Sequence, residues 1–600
     1  MCMARIANPN DISVVHIRAF QGLNENPDGE TTLKVGEFSR MWNFRVTKDG
    51  HLQKRPGARK LLKLPGTGSG LFGAWHGTVG GEAHTLVNYA GTVFDVDLAA
   101  KTCRPLGQAD QNPTHFFGFG DKVYLLDGAR YAAWDGKTGS FQEVEGYIPL
   151  IRTATTPGGS GTKLENVNRL TGKRRVEFSP DGEADTFHLP ETGIDEVVAV
   201  TLVDAALSNY SVDKQAGTVK LAEAPAAGTN TLEIVYRKGT GCRQEVTGMG
   251  FAELFNGATD TRVFLYGDGS NRAIYSGVEY PSGKPSAEYF PDLFEVAVGE
   301  SNTPLTAMVR QYGRLMAYKP GSAWVITAGT LTTEADRLTP AFYVAPVNRQ
   351  FGNEAMGQVK LLENDPLTLD EGGVFQWRNV NGYVSNSENN AARVSDRVAH
   401  TLGTFDLSRT RTYNMKRDHE FWLVEGTRAL VYNYANDAWY LYQDLPFQVP
   451  VEVEGQVYGF SETGEVVHFH RAYRNDLGAV IDCYAETGAM DFGRDWQLKY
   501  SPLLYVAIRP EPHARVQVTV ESNRRSGYPE RLVSANLSTF GNVDFGHFSF
   551  ITNRKPQVRR LRLKVKKAAF YRLIYKSRDN SATATVIETD VRLRYAGNVR

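Results

Sequence analysis

A repeated local pattern runs through most of this 600-residue chain: a short apolar strand, a Gly-containing turn and an aromatic-rich strand. Thr85–Tyr89, Ala90-Gly91 and Thr92–Val96 form one example, and another begins at Glu420. The 30 Phe, 28 Tyr and 8 Trp favour strands, because aromatic side chains pack well on a pleated surface. Few stretches show the 3.6-residue period of a helix. The pattern therefore predicts an all-β protein.

The spacing of these hairpins favours one architecture over another. Outside the middle of the chain they recur every roughly 40–55 residues, the length of a four-stranded propeller blade. A run of β-sandwiches also gives short strands separated by regular turns and is the alternative. We predict a degenerate β-propeller that carries an inserted β-sandwich and ends in a second β-sandwich.

Turn clusters and changes of rhythm divide the chain into four predicted parts. They are an N-terminal arm and anchor segment (1–70), a propeller-like platform (71–152 and 242–480), an inserted β-sandwich (153–241) and a basic C-terminal β-sandwich (481–600).

The stretch Phe20–Lys60, which we call the anchor segment, is rich in turns. Asp28-Gly29 is one turn, and Asp49-Gly50 predicts a hairpin between Phe44–Val46 and His51–Gln53. Pro56 ends this hairpin. Lys54 and Arg55, at its end, are expected to be exposed, either as packing or docking groups or as a solvated turn.

The C-terminal end carries the one charge feature above background. The segment from Ile551 to Arg600 contains 14 Lys and Arg residues and three acidic residues, although the whole chain has 67 basic and 67 acidic residues. A strict alternation predicts a strand with Leu561, Leu563 and Val565 on one face. The other face then carries Arg560, Arg562, Lys564 and Lys566. That face is either solvated or contacts a polyanion or an acidic neighbouring subunit.

Catalytic and metal-binding patterns give weak signals. The carboxylate pairs Asp95/Asp97 and Glu183/Asp185 lack the flanking features of a glycosidase, and His468 and His470 alternate on a strand without a third ligand. We predict no enzymatic activity, no cofactor and no metal. No apolar run reaches the roughly 20 residues that would cross a bilayer.

The anchor segment also carries a family resemblance. Gly22-Leu23, Pro27, Asn43-Phe44 and Gly50–Pro56, in this order, resemble the N-terminal signature of tail nozzle (tail tubular protein B-like) or stabilization proteins of short-tailed phages. Further on, the segments around Tyr289-Phe290-Pro291 and Leu315–Ile326 resemble the propeller part of the same proteins.

This resemblance implies a structural virion protein. In such a protein, copies form a ring, a homo-hexamer in the family, at the distal end of the phage tail. The ring docks to the adaptor under the portal, contacts tail fibres or spikes and lets phage DNA pass, independently of sequence, through its lumen. Lys54, Arg55 and Pro56 would then dock to the adaptor or ring, and the basic strand would line the channel or a subunit interface. The protein would be made in the host cytoplasm and reside in the virion.

A second hypothesis belongs to another class. Aromatic-rich β proteins bind sugars by stacking, so the chain could be a tail protein that attaches to, or degrades, cell-surface polysaccharide. A third reading, a cellular propeller scaffold, rests on the fold alone.

Overall fold

The structure is a computed structural model that describes residues 12–25, 33–137, 139–332, 338–378, 390–537 and 555–599. The expected turn at Asp28-Gly29 and the motif residue Pro27 lie outside the described residues. The chain divides into two compact units. Unit 1 is Met1–Leu71, Gly372–Gln376 and Ala392–Arg600, and unit 2 is Phe72–Glu371 and Trp377–Ala391.

Strands make up almost all of the regular structure in the described parts of the chain. The N-terminal strands of unit 1 are β1 (Ile12–Ile17), β2 (Gly22–Leu23), β3 (Glu37–Trp42), β4 (Phe44–Val46), β5 (Leu52–Lys54) and β6 (Gly57–Lys63). The first strands of unit 2 are β7 (Leu71–Val79), β8 (Glu82–Tyr89), β9 (Thr92–Asp97), β10 (Thr102–Gln108), β11 (His115–Phe119), β12 (Lys122–Leu126), β13 (Tyr131–Trp134) and β14 (Gln142–Glu143).

The middle of the chain continues unit 2. Its next strands are β15 (Leu150–Thr155), β16 (Thr162–Lys163), β17 (Lys173–Phe178), β18 (Thr186–His188), β19 (Glu196–Leu202), β20 (Ala205–Ala206), β21 (Tyr210–Asp213), β22 (Thr218–Leu221) and β23 (Leu232–Arg237). They are followed by the short helix α1 (Arg243–Thr247), β24 (Phe251–Asn256), β25 (Thr259–Tyr266), β26 (Arg272–Tyr275), β27 (Val278–Glu279), β28 (Lys284–Pro285), β29 (Glu295–Ala297), β30 (Ala307–Gln311), β31 (Arg314–Lys319), β32 (Ser322–Thr332), β33 (Leu338–Asn348), β34 (Lys360–Leu362) and β35 (Asp365–Asp370).

The chain then enters unit 1 at Gly372–Gln376, returns to unit 2 at Trp377–Ala391 and stays in unit 1 from Ala392 onward. The elements of this last part begin with β36 (Gly373–Trp377), β37 (Ala391–Arg393), a 3-10 turn (Asp396–Val398), the short helix α2 (Ala399–Leu402), β38 (Arg411–Met415), β39 (Glu420–Glu425), β40 (Arg428–Asn433) and β41 (Ala438–Tyr442). The remaining strands are β42 (Val449–Val453), β43 (Gln456–Phe460), β44 (Glu465–His470), β45 (Cys483–Thr487), β46 (Gln497–Ile508), β47 (Ala514–Ser522), β48 (Arg531–Ala535), β49 (Gln557–Ala568), β50 (Tyr571–Ser577) and β51 (Thr585–Asn598).

Unit 2 contains successive four-stranded sheets that pack face to face. The sheets are β7–β10, β11–β14, β24–β26 with β29, and β30–β33. One hydrophobic core joins Leu86 of the first sheet to Phe116 of the second, a further core joins Phe117 to Val263 of the third, and the next joins Phe264 to Leu315 of the fourth. Stacking each sheet on the next one along the chain is how propeller blades pack. The predicted all-β fold with propeller-type blades is confirmed.

The strands β15–β23, between the second and third blades, form a separate two-sheet body. A six-stranded sheet in the order β16-β15-β17-β23-β19-β20 faces a three-stranded sheet β18-β22-β21. Val176 and Ile234 from the larger sheet share a core with Phe187 and Val219 from the smaller one. This body is the predicted inserted β-sandwich.

In unit 1, N-terminal strands pair with strands from the last part of the chain in shared sheets. Strand β6 is the fourth strand of the sheet β42-β43-β44-β6, with Ala58 opposite Phe469. Strands β4 and β5 lie in a sheet ordered β4-β5-β51-β46-β49, where β1 also pairs with β51. Strand β3 lies between β41 and β45 in a ten-stranded sheet, and β2 pairs with β3. The predicted arm is thus part of all three sheets.

Gly22 lies at one of the close backbone contacts in these junctions. Its φ of +81° lies in the left-handed region, and a Cβ placed on it would come within 2.5 Å of the carbonyl oxygen of Trp439 in β41. A residue with a side chain would therefore both strain the backbone and separate β2 from β41.

We expect Gly22→Ala to destabilise unit 1 much more than Gly426→Ala. Gly426 also has a positive φ, of +57°, but an added Cβ would meet no atom within 4 Å. The control should cost about 1–2 kcal/mol of backbone strain, and Gly22→Ala roughly 1–3 kcal/mol more because of overpacking. Denaturant unfolding of both variants measures the difference, and equal losses would contradict the described packing.

Candidate functional site

The anchor segment is built around the hairpin β4–β5. Phe44 lies opposite Lys54, and the turn between the strands closes with Thr47 N–H donating to the His51 carbonyl at 2.9 Å. Gly50 has a φ of +75°, a left-handed conformation that glycine adopts without strain. The hairpin predicted at Asp49-Gly50 is confirmed.

Arg55, which we expected to be exposed, is buried with 1% of its side chain accessible. Its two terminal nitrogens bind the carboxylate of Asp476 at 2.6 and 3.2 Å. They also donate to the carbonyls of Pro56 and Gln443, and its Nε donates to Asn43 Oδ1 at 2.8 Å. The prediction of exposure is wrong because a planar guanidinium can be buried when all its donors find acceptors.

Asn43 completes this junction, and its φ of +56° places it in a turn. Its Oδ1 accepts hydrogen bonds from Arg55 Nε and from the Gln443 N–H, while its Nδ2 donates to the carbonyl of Asp482 at 2.8 Å. Asn43 and Arg55 therefore connect the anchor segment with the ends of β41 and with the loop between β44 and β45.

Lys54 and Pro56 are buried as well, which again differs from the sequence prediction for Lys54. Lys54 Nζ donates to the carbonyls of Asp579 and Ala582, both at 3.1 Å, and burial lowers the pKa of this ammonium. These contacts are internal packing, which is one of the roles predicted from the sequence for Lys54 and Arg55. Docking of Lys54, Arg55 and Pro56 to an adaptor ring stays a prediction.

A second buried cation, Arg45, was missed by sequence reasoning. It binds Gln53 Oε1 at 3.0 and 3.1 Å and lies 3.4 Å from the carboxylate of Glu420. Burial opposes its charge, but the carboxylates of Glu420 and Asp418 outweigh this and raise the pKa of Arg45. The only sequence signal was an arginine between two apolar residues, Phe44 and Val46, in a short strand.

The basic strand β49 alternates as predicted. Leu561, Leu563 and Val565 are buried, and Arg560, Arg562, Lys564 and Lys566 are exposed. The strand lies at the end of its sheet order and pairs with β46. Charged residues on such an edge also prevent pairing with the strands of other chains. A simply solvated face, the alternative to a binding surface, therefore has a physical basis as well.

The strand is not regular throughout. Its register against β46 shifts twice, between the partners of Ser501 and Leu503 and between those of Lys499 and Ser501. Lys564 and Lys567, with φ of +58° and +50°, lie at these two β-bulges. Bulges bend a strand and redirect its side chains.

Strand register adds residues to the basic face that sequence reasoning did not assign to it. Leu503 lies between Arg562 on one side and Arg592 on the other. Tyr505, in the next row, lies between Arg560 and Asp590. Residues directly opposite each other share a face. The sheet therefore presents arginines from β49 and β51 separated by a central row of apolar and aromatic side chains on β46.

Two acids of β51, Asp590 and Glu588, interrupt this face, and Glu588 lies 3.5 Å from Arg18 Nε. Asp590 lies 2.6 Å from His16 Nδ1 of β1, and Val14 of β1, which is 46% exposed, lies opposite Arg592. Arg594, two residues after Arg592 on β51, lies opposite Tyr500 of β46. We define the basic face by Arg560, Arg562, Arg592, Arg594 and Tyr505.

Unit 2 holds a separate group of perturbed titratable residues on the first strands of successive sheets. Burial raises the pKa of Glu253 to about 7, opposed by a hydrogen bond from the Arg310 N–H and by the charge of Lys360. Burial also lowers the pKa of His115 to about 4, assisted by Lys360, and lowers that of Lys360 itself. All three side chains are only half-buried. Perturbed groups of this kind occur at functional sites and in structural networks alike.

The other candidate side chains have structural partners. Asp95 binds His84 and Arg104 at 3.0 Å, and Asp97 accepts the N–H groups of Ala99 and Ala100 in a turn. His468 contacts the hydroxyl of Tyr473 at 3.1 Å. Within the described ranges, no group of three or more His, Cys, Asp or Glu side chains is arranged to hold a metal ion.

A search of the helices in the described residues finds none that is long and apolar enough to cross a membrane.

Comparisons with known proteins give no family assignment. No protein-family model matches the chain, and no curated protein matches it. Among solved structures, it is similar to a chain of the mitotic checkpoint complex (8% identity, 71% of this chain and 96% of that chain, TM-score 0.30). It is also similar to YCF48 from Cyanidioschyzon merolae (9% identity, 69% of this chain and 99% of that chain, TM-score 0.24). An exo-beta-1,3-galactanase from Phanerochaete chrysosporium gives 10% identity, 81% and 96% coverage and a TM-score of 0.16. Similarities this low carry no argument about function.

We expect Asp476→Asn to destabilise the protein by about 3–5 kcal/mol, because it leaves the buried Arg55 guanidinium without its counter-charge. The matched control is Asp396→Asn, since Asp396 is 74% exposed and pairs with Arg393 at 3.2 Å. Removing that surface pair should cost at most about 1 kcal/mol. Denaturant unfolding measures the free energy of unfolding of both variants. A similarly small decrease in both would show that the buried pair does not hold the anchor segment in place.

The raised pKa of Glu253 gives a pH-dependent expectation. Because its folded-state pKa of about 7 exceeds the ordinary value of 4.5, folding favours the protonated acid. The stability from this group is complete below pH 4.5 and is lost as the pH rises through 7. Glu253→Gln should therefore stabilise the protein at pH 8 relative to the parent chain and have little effect at pH 4. A thermal-melt series against pH measures this, and a constant difference across that range would contradict the shift.

Proposed function

We propose that this protein is a structural subunit of the tail nozzle of a short-tailed phage. In this proposal, copies of the chain form a ring, docked to the adaptor below the portal and in contact with tail fibres or spikes, and DNA leaves the particle through the lumen. The role is mechanical and requires no catalytic group or cofactor. It places the protein in the virion after synthesis in the host cytoplasm.

The observation that carries this proposal is that Gly22, Asn43, Gly50 and Arg55 of the nozzle-like signature each make a packed or hydrogen-bonded contact inside unit 1. Gly22 lies against β41, Asn43 accepts a hydrogen bond from Arg55, and Gly50 accepts the N–H of Phe20 at 2.9 Å. Arg55 then binds Asp476. Two of these residues are glycines with positive φ, and Asn43 and Arg55 are buried and hydrogen-bonded, so the fold itself restricts the residue types at these four positions.

The basic face supports the part of the proposal that concerns DNA. Side chains on one face of a strand repeat every 6.6–7 Å or so, which spreads charge along a polyanion without reading its bases. Arginine contacts to phosphates position a nucleic acid and carry no sequence information. Such contacts suit a duplex of any sequence that moves through a channel.

A ring of six copies is part of this proposal and sets a physical requirement. Closure needs a head-to-tail interface with one fixed rotation. Permanent interfaces of this kind usually bury more than about 2,000 Å². The basic face would then lie either toward the lumen or within this interface, as the sequence also left open.

A second candidate is a polysaccharide-binding or polysaccharide-degrading tail protein. It is favoured by large aromatic side chains left at the surface: Trp496 is 59% exposed, Tyr343 55% and Tyr312 54%. Aromatic rings that are free at the surface can stack on sugar rings, and tyrosine and tryptophan are common at binding surfaces. Binding of the purified protein to host envelope glycans, lost on Trp496→Ala, would favour this candidate.

We expect the double variant Arg560→Glu/Arg562→Glu to weaken binding to a labelled, random-sequence DNA duplex roughly tenfold or more at about 50 mM salt. The slope of log affinity against log salt should fall by about 0.9 for each lost phosphate contact. Electrophoretic shift or fluorescence anisotropy at several salt concentrations measures both quantities.

The matched control is Arg524→Glu/Arg525→Glu, which changes the net charge equally on another exposed loop. The control should bind DNA nearly as well as the parent chain. An equal loss in both double variants would assign the effect to net charge and contradict a DNA-contacting role for the basic face.

A further inference from the structure

Two adjoining cavities in unit 1 lie on either side of the loop between β44 and β45. The first has a volume of about 830 Å³ and is bordered by β6, this loop and Asn580-Ser581. The second has a volume of about 460 Å³ and is bordered by the buried Lys54 and Arg55, the same loop and the segments after β46 and before β51. Ala472, Tyr473 and Arg474 line both cavities.

Both cavities have an excess of positive charge. The first is lined by Arg59, Lys60 and Arg474 against Glu465. The second is lined by five cations, Lys54, Arg55, Arg471, Arg474 and Arg509, against Glu511.

Several of these charges are already balanced. Arg55 pairs with Asp476, and Lys60 pairs with Glu465 at 2.9 Å. Lys54 is held by two carbonyl groups. Four arginines remain that form no ion pair among the described residues: Arg59, Arg471, Arg474 and Arg509.

Among the described residues, these arginines form few side-chain hydrogen bonds. Arg474 donates to the carbonyl of Ser581 at 2.9 Å, and Arg509 contacts His51 Nδ1 at 3.1 Å. A guanidinium has five N–H donors. Burial lowers the pKa of Arg474, although the charges of Glu511 and Asp579 oppose this.

The positive charges of these arginines also affect the pKa values of two neighbouring histidines. Burial lowers the pKa of His51, and the charge of Arg509 lowers it further. Burial and the charges of Arg471 and Arg417 likewise lower the pKa of His470, which borders the second cavity. The charges of Arg509, Arg471 and Arg417 therefore act on groups beside the second cavity.

We propose that this pair of cavities is a docking site for an acidic segment of a partner protein. Guanidinium groups bind carboxylates through paired, charge-assisted hydrogen bonds. The four arginines come from three separate places, namely β6, the loop after β44 and the end of β46, so they suit several carboxylates along a segment better than one small anion. This site is distinct from the basic face and does not depend on the proposed passage of DNA.

The test uses the purified full chain and a fluorescein-labelled oligo-glutamate peptide at about 0.15 M ionic strength. The peptide should bind, and a length-matched oligo-glutamine peptide should not. Arg471→Gln/Arg474→Gln should weaken binding roughly tenfold or more. Arg59→Gln, on the exposed wall of the first cavity, should weaken it without any effect on folding. Arg524→Gln/Arg525→Gln is the control with the same change of charge and should bind like the parent chain.

Three results would overturn the proposal. One is equal binding by the cavity variants and the control. Another is displacement of the peptide by inorganic phosphate at equal carboxylate and phosphate concentrations, which would identify a simple anion site. The third is displacement of the peptide by duplex DNA together with loss of DNA binding in the Arg471→Gln/Arg474→Gln variant, which would identify a DNA site. The Arg560→Glu/Arg562→Glu variant should bind the peptide normally, so failure of this site and failure of the proposed DNA contact are distinguishable.

Discussion

The buried pair of Arg55 and Asp476 is the interaction on which the organisation of unit 1 depends. It joins two residues 421 positions apart, and its guanidinium also holds Asn43 and the Gln443 carbonyl. A buried charge pair contributes little net stability compared with an apolar pair, but it permits few alternative arrangements when every donor is used. Its effect here is to fix where the N-terminal strands enter sheets made largely by the end of the chain.

Local features of this fold could be predicted from the sequence because they depend on neighbouring residues. The Asp49-Gly50 hairpin and the alternation of Leu561, Leu563 and Val565 are of this kind. Pairings between distant strands could not be predicted, since periodicity within a strand does not specify its partner. That is why β6 beside β44, Tyr505 beside Arg560 and the burial of Lys54 and Arg55 were missed. Polar residues at a hairpin end are usually solvated, but here three distant segments supply acceptors.

Unit 1 carries positive charge in two separate settings with different chemistry. The basic face is a sheet surface in which arginines flank apolar and aromatic side chains, so it suits an extended, uniform polyanion. The cavities beside the anchor segment are concave and lined by arginines that form no ion pair among the described residues, so they suit a few inserted carboxylates. A ring subunit that both contacts DNA and docks to another protein needs two such surfaces, which is how the two proposals fit together.

Cryo-electron microscopy of the purified full chain, and of particles that contain it, tests the central proposal most directly. The account predicts a closed ring of identical copies, wide enough for a DNA duplex, with Arg560 and Arg562 of each copy at the lumen or at the contact between copies. Monomers at every concentration and in the particle, or a ring with the basic face turned outward to solvent, would contradict it.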